Sequence, residues 1–206
     1  MTRSEAGYEI MQERPRWSAL PTAVLSSAKI GAAGLMAVLP SLYPASGVSI
    51  IAILILAAGV IDITTAMFFA PKWARLLVLW AGIAAVAASS MLLLAEEPRF
   101  LYAAAVVTGW LFVKATTLVL AAVRSPSVVG KDWLRFGALI NAVLAFLAIG
   151  IVSSVALAIL LFGPTPELAR FSLIPALSML ITGVSGLAAA IGAARDDHES
   201  SEEMTA

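Results

Sequence analysis

Six apolar runs, each long enough to cross a bilayer, follow one another along the chain with charges or Pro/Gly breaks between them. They cover about Leu20 to Leu39, Val48 to Phe69, Trp73 to Leu94, Leu101 to Val123, Trp133 to Phe162, and Leu168 to Ala194. A helix needs roughly 20 consecutive apolar residues to cross the hydrocarbon layer, because each residue adds 1.5 Å. Within 206 residues this leaves room only for short tails, and 61% hydrophobic against 13% charged residues is not the balance of a water-soluble domain. The fold expected is therefore all-α: a polytopic membrane protein with six transmembrane helices. Its divisions are a cytoplasmic N-terminal tail over 1–19, a transmembrane domain over 20–194, and a disordered acidic cytoplasmic tail over 195–206. The fifth run exceeds what a span needs, so it either tilts or opens with an interfacial stretch from Trp133 to Gly137.

Composition removes several functions. The formal net charge of zero provides no basic surface for nucleic acid. With no Cys and one His, His198, there is no basis for a structural zinc, iron-sulfur, thiol-redox or bis-histidine haem site, so neither a metal nor a cofactor is expected. The first residues mix Arg3, Arg14 and Arg16 with Glu5, Glu9 and Glu13, which reads as a retained first helix rather than a cleaved leader.

Orientation follows from Lys and Arg. Arg3, Arg14, Arg16, Lys72, Arg75, Arg124, Lys131, Arg135 and Arg195 fall on one side of the alternating spans. Only Arg99 and Arg170 fall on the other, beside Glu96, Glu97 and Glu167. The positive-inside rule then places both termini in the cytoplasm. Trp17, Trp73, Trp80 and Trp133 stand near the cytoplasmic ends and Tyr43 and Tyr102 near the outer ones, as interfacial anchors do. Trp110 is deeper, and its indole N–H needs a partner inside the bundle.

Each odd span ends outside in a turn built around proline (Pro40 and Pro44, Pro98, Pro164 and Pro166). Each even span carries an internal glycine: Gly59, Gly109 or Gly183. We read three degenerate helical hairpins, although Gly and Pro are also common in membrane helices for other reasons. The segments GLMAVLPSLYPASGVSIIAILILAAGVIDI and WAGIAAVAASSMLLLAEEPRFLYAAAVVTGW resemble the HdeD-like family of small six-span bacterial membrane proteins. That resemblance implies the six-span fold and an association with acid resistance, without implied binding or catalytic residues. Asp62 stands where a polar or acidic residue commonly follows the second-span glycine of that family, whereas Lys114 departs from it.

Ionisable residues inside spans are the informative ones, since each costs at least about 2.5 kcal/mol near the bilayer centre unless paired or hydrated. Lys29, Asp62 and Lys114 all fall roughly 12 to 15 Å from the cytoplasmic ends of their helices, and Asn141 and Ser185 are counted to the same level. Matched depth on different helices argues for convergence inside the bundle, with Lys29 and Asp62 as the ion pair because their spans are joined in sequence. Lys114 is then neutral, or shares Asp62, or faces a wet cavity and an anion. The cluster either fixes helix register, or forms a polar site for a proton, ion or solute, or contacts anionic lipid.

Gly183-Val184-Ser185-Gly186 matches the GxSG of rhomboid-type intramembrane proteases, but the only His lies past the end of the same helix, out of reach of Ser185. No catalytic residue is assigned, and the protein is not expected to be an enzyme. Gly186, Ala190 and Ala194, like Ala81, Ala85 and Ser89, instead repeat at four-residue spacing and form flat faces for close helix contact, within the chain or in a homo-oligomer. Two functions stay open. One is a non-enzymatic, stress-related or accessory membrane protein working through packing and a membrane-protein partner. The other is a small channel or transporter passing the level of Lys29, Asp62, Lys114 and Asn141.

Overall fold

A computed structural model describes residues 19–43, 46–70, 72–95, 100–124, 128–162 and 171–203. These form six helices: α1 (Ala19–Leu42), α2 (Gly47–Phe68), α3 (Lys72–Leu93), α4 (Phe100–Arg124), α5 (Val128–Phe162) and α6 (Leu173–Glu203). The protein is all-helical over the described residues. Four helices are long and apolar enough to cross a membrane, over Leu20–Leu42, Gly47–Phe68, Ala74–Leu93 and Leu101–Arg124. The longer α5 and α6 carry their apolar stretches at Arg135–Ile151 and Leu173–Ala188.

Large apolar side chains point outward all around the bundle, among them Leu35, Ile53, Val60, Ile83, Val119, Phe146, Leu147 and Val184, while Lys29 and Lys114 are buried. A helix that is apolar on its outer face and carries its charges inward suits a lipid surround, because lipid gains nothing from a polar exterior. The interior apolar core gathers Met36, Ile55, Leu92, Val107, Leu111, Leu144, Phe171 and Met179 from all six helices.

Each helix touches its chain neighbours, and α6 returns to pack on α1, so the six form a closed circuit. The most extensive contacts join α2 with α3, α1 with α6, and α4 with α5; the pairs α1–α2, α3–α4 and α5–α6 meet less. The tightest seams therefore lie between the expected hairpins rather than within them. Glycine is the cause at two of these seams. A Cβ on Gly82 would lie 2.7 Å from Ile63 Cγ1 and 3.0 Å from the Gly59 carbonyl oxygen. One on Gly183 would lie 2.7 Å from Ile30 Cγ1 and 3.0 Å from the Ser26 carbonyl oxygen. Ser26 also abuts Gly186, so α1 occupies the small face of α6 around it.

Two boundaries differ from expectation. Pro40, expected in a turn, is a buried residue inside α1, which ends two residues later at Leu42. Proline at this position removes one N–H from the last turns of the helix, which stops two residues on. At the other end, the tail expected to be disordered from Arg195 continues α6 as helix to Glu203; Arg195, Glu199, Glu202 and Glu203 in this stretch are good helix formers. The N-terminal tail with Arg3, Arg14, Arg16 and Trp17 lies outside the described residues. So do the turns at Pro44, Pro98, Pro164 and Pro166, together with Glu96, Glu97, Arg99, Glu167, Arg170 and the side chains of Trp73, Arg195 and His198.

Candidate functional site: a buried charge layer

The inward stripe of α1 is Thr22, Ser26, Lys29, Ala33, Met36 and Pro40, all buried and three or four apart. Its first half is polar and its second half apolar, so the polarity of the interior changes at Lys29. Across the α1–α2 contact, the Lys29 ammonium donates to Asp62 Oδ1, and the two side chains retain only 11% and 13% exposure. At that burial the pair is poorly screened, and removing either partner would leave an uncompensated charge in a medium that solvates it badly.

Lys114 comes from α4, on the inward stripe with Val107, Leu111 and Ala121, and is 5% exposed. Its ammonium donates to Ser178 Oγ of α6 at 3.2 Å and lies 4.7 Å above the Trp110 ring one turn away. Ser178 in turn donates to Asn141 Oδ1 of α5 at 2.5 Å, and Asn141 Nδ2 donates to the Gly137 carbonyl oxygen at 2.7 Å. The result is a one-directional chain, Lys114 to Ser178 to Asn141 to Gly137, tying three helices through buried groups. Lys114 also lies within electrostatic reach of Asp62 and Lys29, so the ion pair and the chain form one layer. Trp110 meets the charge through its ring face, a cation–π contact in addition to any role of its N–H.

Four of the residues counted to this level, Lys29, Asp62, Lys114 and Asn141, are brought into the layer. Ser185 is not: the hydroxyl joining Lys114 to Asn141 belongs to Ser178, seven residues earlier on the same face of α6. Depth counted back from Ala194 selects Ser185, which stands two turns further along α6, near Gly137. Ser178 could have been found from its i, i+7 relation to Ser185. Ser185 Oγ is buried without a hydrogen-bond partner among the described residues, as is Thr22 Oγ1 on α1.

Towards the other end the interior changes character. Thr108 and Ser89 are buried there, and their hydroxyls donate to carbonyls of their own helices, Ala104 at 2.7 Å and Val86 at 2.8 Å. Such back-bonding leaves these hydroxyls satisfied locally. Comparison of the chain with family models, curated proteins and solved structures finds no match.

The chain makes a direct expectation. Ser178→Ala removes the acceptor of Lys114 and the donor to Asn141 at once, leaving buried polar groups unmade at roughly 1 to 3 kcal/mol. Ser185→Ala, whose hydroxyl has no partner to lose, is expected to leave the thermal midpoint in detergent unchanged or slightly raised. Equal midpoints for the two variants would show that the Lys114–Ser178–Asn141 chain contributes nothing.

Proposed function

We propose that the chain is a non-enzymatic, six-span integral membrane protein of the bacterial inner membrane with both termini cytoplasmic. It works through packing and contact with a membrane partner, as an accessory or stress-related subunit. The observation that carries this reading is that Lys29 is paired with Asp62 and Lys114 is hydrogen-bonded to Ser178, while beyond them Met36, Ile55, Val107, Leu111, Phe171 and Met179 fill the interior with apolar side chains. A pathway for ions or solutes would need polar groups at that level, and those of Thr108 and Ser89 are bonded to their own helices.

Six crossings are supported by length. At 1.5 Å per residue, α5 and α6 extend about 50 Å and about 45 Å, more than the hydrocarbon thickness. The two additional crossings bring the chain back to the side on which it started, in agreement with the distribution of Lys and Arg. The acid-resistance theme comes from the sequence resemblance to HdeD-like proteins.

Because the chain has no cysteine, single Cys substitutions report topology without a background. Leu94→Cys, at the exposed end of α3, is expected to react with an impermeant maleimide in intact spheroplasts, and Ala70→Cys, between α2 and α3, only after permeabilisation. The reverse pattern would invert the orientation. Reconstituted in liposomes, the protein is expected to pass protons, halide and small solutes no faster than protein-free vesicles. A flux abolished by Asp62→Asn in a protein of unchanged stability would replace this reading with the transporter.

A further inference from the structure

We propose that the buried charge layer holds one halide-sized anion beside Lys114, reached along the α5–α6 seam from the Ser185 end. The inference goes beyond the reading of the protein as a packing subunit and does not depend on it. It begins with charge. The ionisable groups of the layer are Lys29 from α1, Asp62 from α2 and Lys114 from α4; α5 and α6 contribute the neutral Asn141 and Ser178, and α3 contributes no charged group to it. Asp62 is engaged by Lys29, which leaves one ammonium in excess at 5% exposure. A lone cation in lipid surroundings is costly, and a monovalent anion makes the layer neutral.

Donors are available for it. Of the three N–H bonds of Lys114, one goes to Ser178 and the ring of Trp110 faces the ammonium; of the two on Asn141 Nδ2, one goes to Gly137. Access is the second observation. The α5–α6 contact is less extensive than that of either helix with its other neighbour, α4 or α1. In it the partnerless Ser185 hydroxyl lies 3.8 Å from where a Gly137 side chain would begin. The Thr22 hydroxyl, 4% exposed and equally without a partner, lies on the same polar half of the interior, on α1. Ser185 is a polar group an anion can meet along that seam, and among the described residues no buried hydroxyl of the apolar half lacks a partner. A lipid phosphate is a poor candidate: Lys114 is ten residues from the Arg124 end of α4, roughly 15 Å, deeper than a headgroup sits.

The test uses the full chain in detergent, with gluconate exchanged for bromide at constant ionic strength. Trp110 is kept as the only tryptophan by replacing Trp17, Trp73, Trp80 and Trp133 with Phe. Bromide is expected to quench Trp110 emission along a saturable curve with a millimolar midpoint, and Lys114→Met is expected to weaken that midpoint at least tenfold, leaving only the linear collisional part. A purely linear response in the Lys114 protein overturns the proposal, as does a saturable curve unchanged by Lys114→Met. Should Lys114→Met fail to fold, ³⁵Cl line broadening by the unmodified protein decides, since its absence means no chloride is held. Saturable quenching together with halide flux in liposomes would retain the site and overturn the packing function, so the two failures are distinguishable.

Discussion

Asp62→Asn is expected to lower stability by about 3 to 5 kcal/mol, because it removes the carboxylate and leaves Lys29 buried without its counter-charge. For a chain of this length that corresponds to a fall in thermal midpoint of roughly 10 °C. The control separates the pair from the burial. In Lys29→Met with Asp62→Leu, both charges are gone and the groups that replace them suit an apolar interior, so most of the loss is expected to return. A double-mutant cycle on Lys29 and Asp62 should show coupling well above 1 kcal/mol, whereas surface pairs such as Arg135 and Asp132, both about 70% exposed, should show almost none. If Asp62→Asn melts at the wild-type temperature, the ion pair is not what joins α1 to α2, and the reading of the layer as a structural element falls.

How far this layer is legible in the residues depends on which reference point the counting uses. Lys29, Asp62 and Lys114 are exceptional because a charge in an apolar run has few places to go, and their distances from the charged ends of their spans set them at one height. For α1, α2 and α4 those ends fall within a few residues of the helix ends, so the count is sound. In α6 it is not. Counting back from the end of the apolar run at Ala194 selects Ser185, yet the hydroxyl that meets Lys114 is that of Ser178, two turns earlier on the same helix. Neighbour choice is less legible still. Chain connectivity favours α1 with α2 and α5 with α6, yet the closest approaches are set by where a missing side chain on one helix faces a suitable surface on another. Gly183 and Gly186 announce a close approach; nothing in their letters says that the partner is Ser26 and Ile30 of α1 rather than a neighbouring span or a second copy.

The glycine seams give the second large effect. At Gly82 an added Cβ would stand 3.0 Å from both the Gly59 carbonyl oxygen and the Ile63 nitrogen, so relief requires backbone movement and not merely a rotamer change. Gly82→Val is therefore expected to cost about 3 kcal/mol, the upper end of ordinary overpacking, and Gly82→Ala a smaller part of it. Gly34→Val on α1 is the matched control: nothing lies within 4 Å of its added Cβ, so the substitution should be nearly neutral. The effect should also reach the charge layer. Ile63 follows Asp62 directly, and Gly59 lies one turn before it, so pushing α2 away from α3 displaces the segment that presents the carboxylate to Lys29. In a Gly82→Val background, Asp62→Asn is then expected to cost less than it does alone, a non-additivity of 1 kcal/mol or more between the seam and the ion pair. Strict additivity of the two losses would mean that the α2–α3 seam and the ion pair are independent, with helix approach at Gly59 and Gly82 playing no part in holding Asp62 against Lys29.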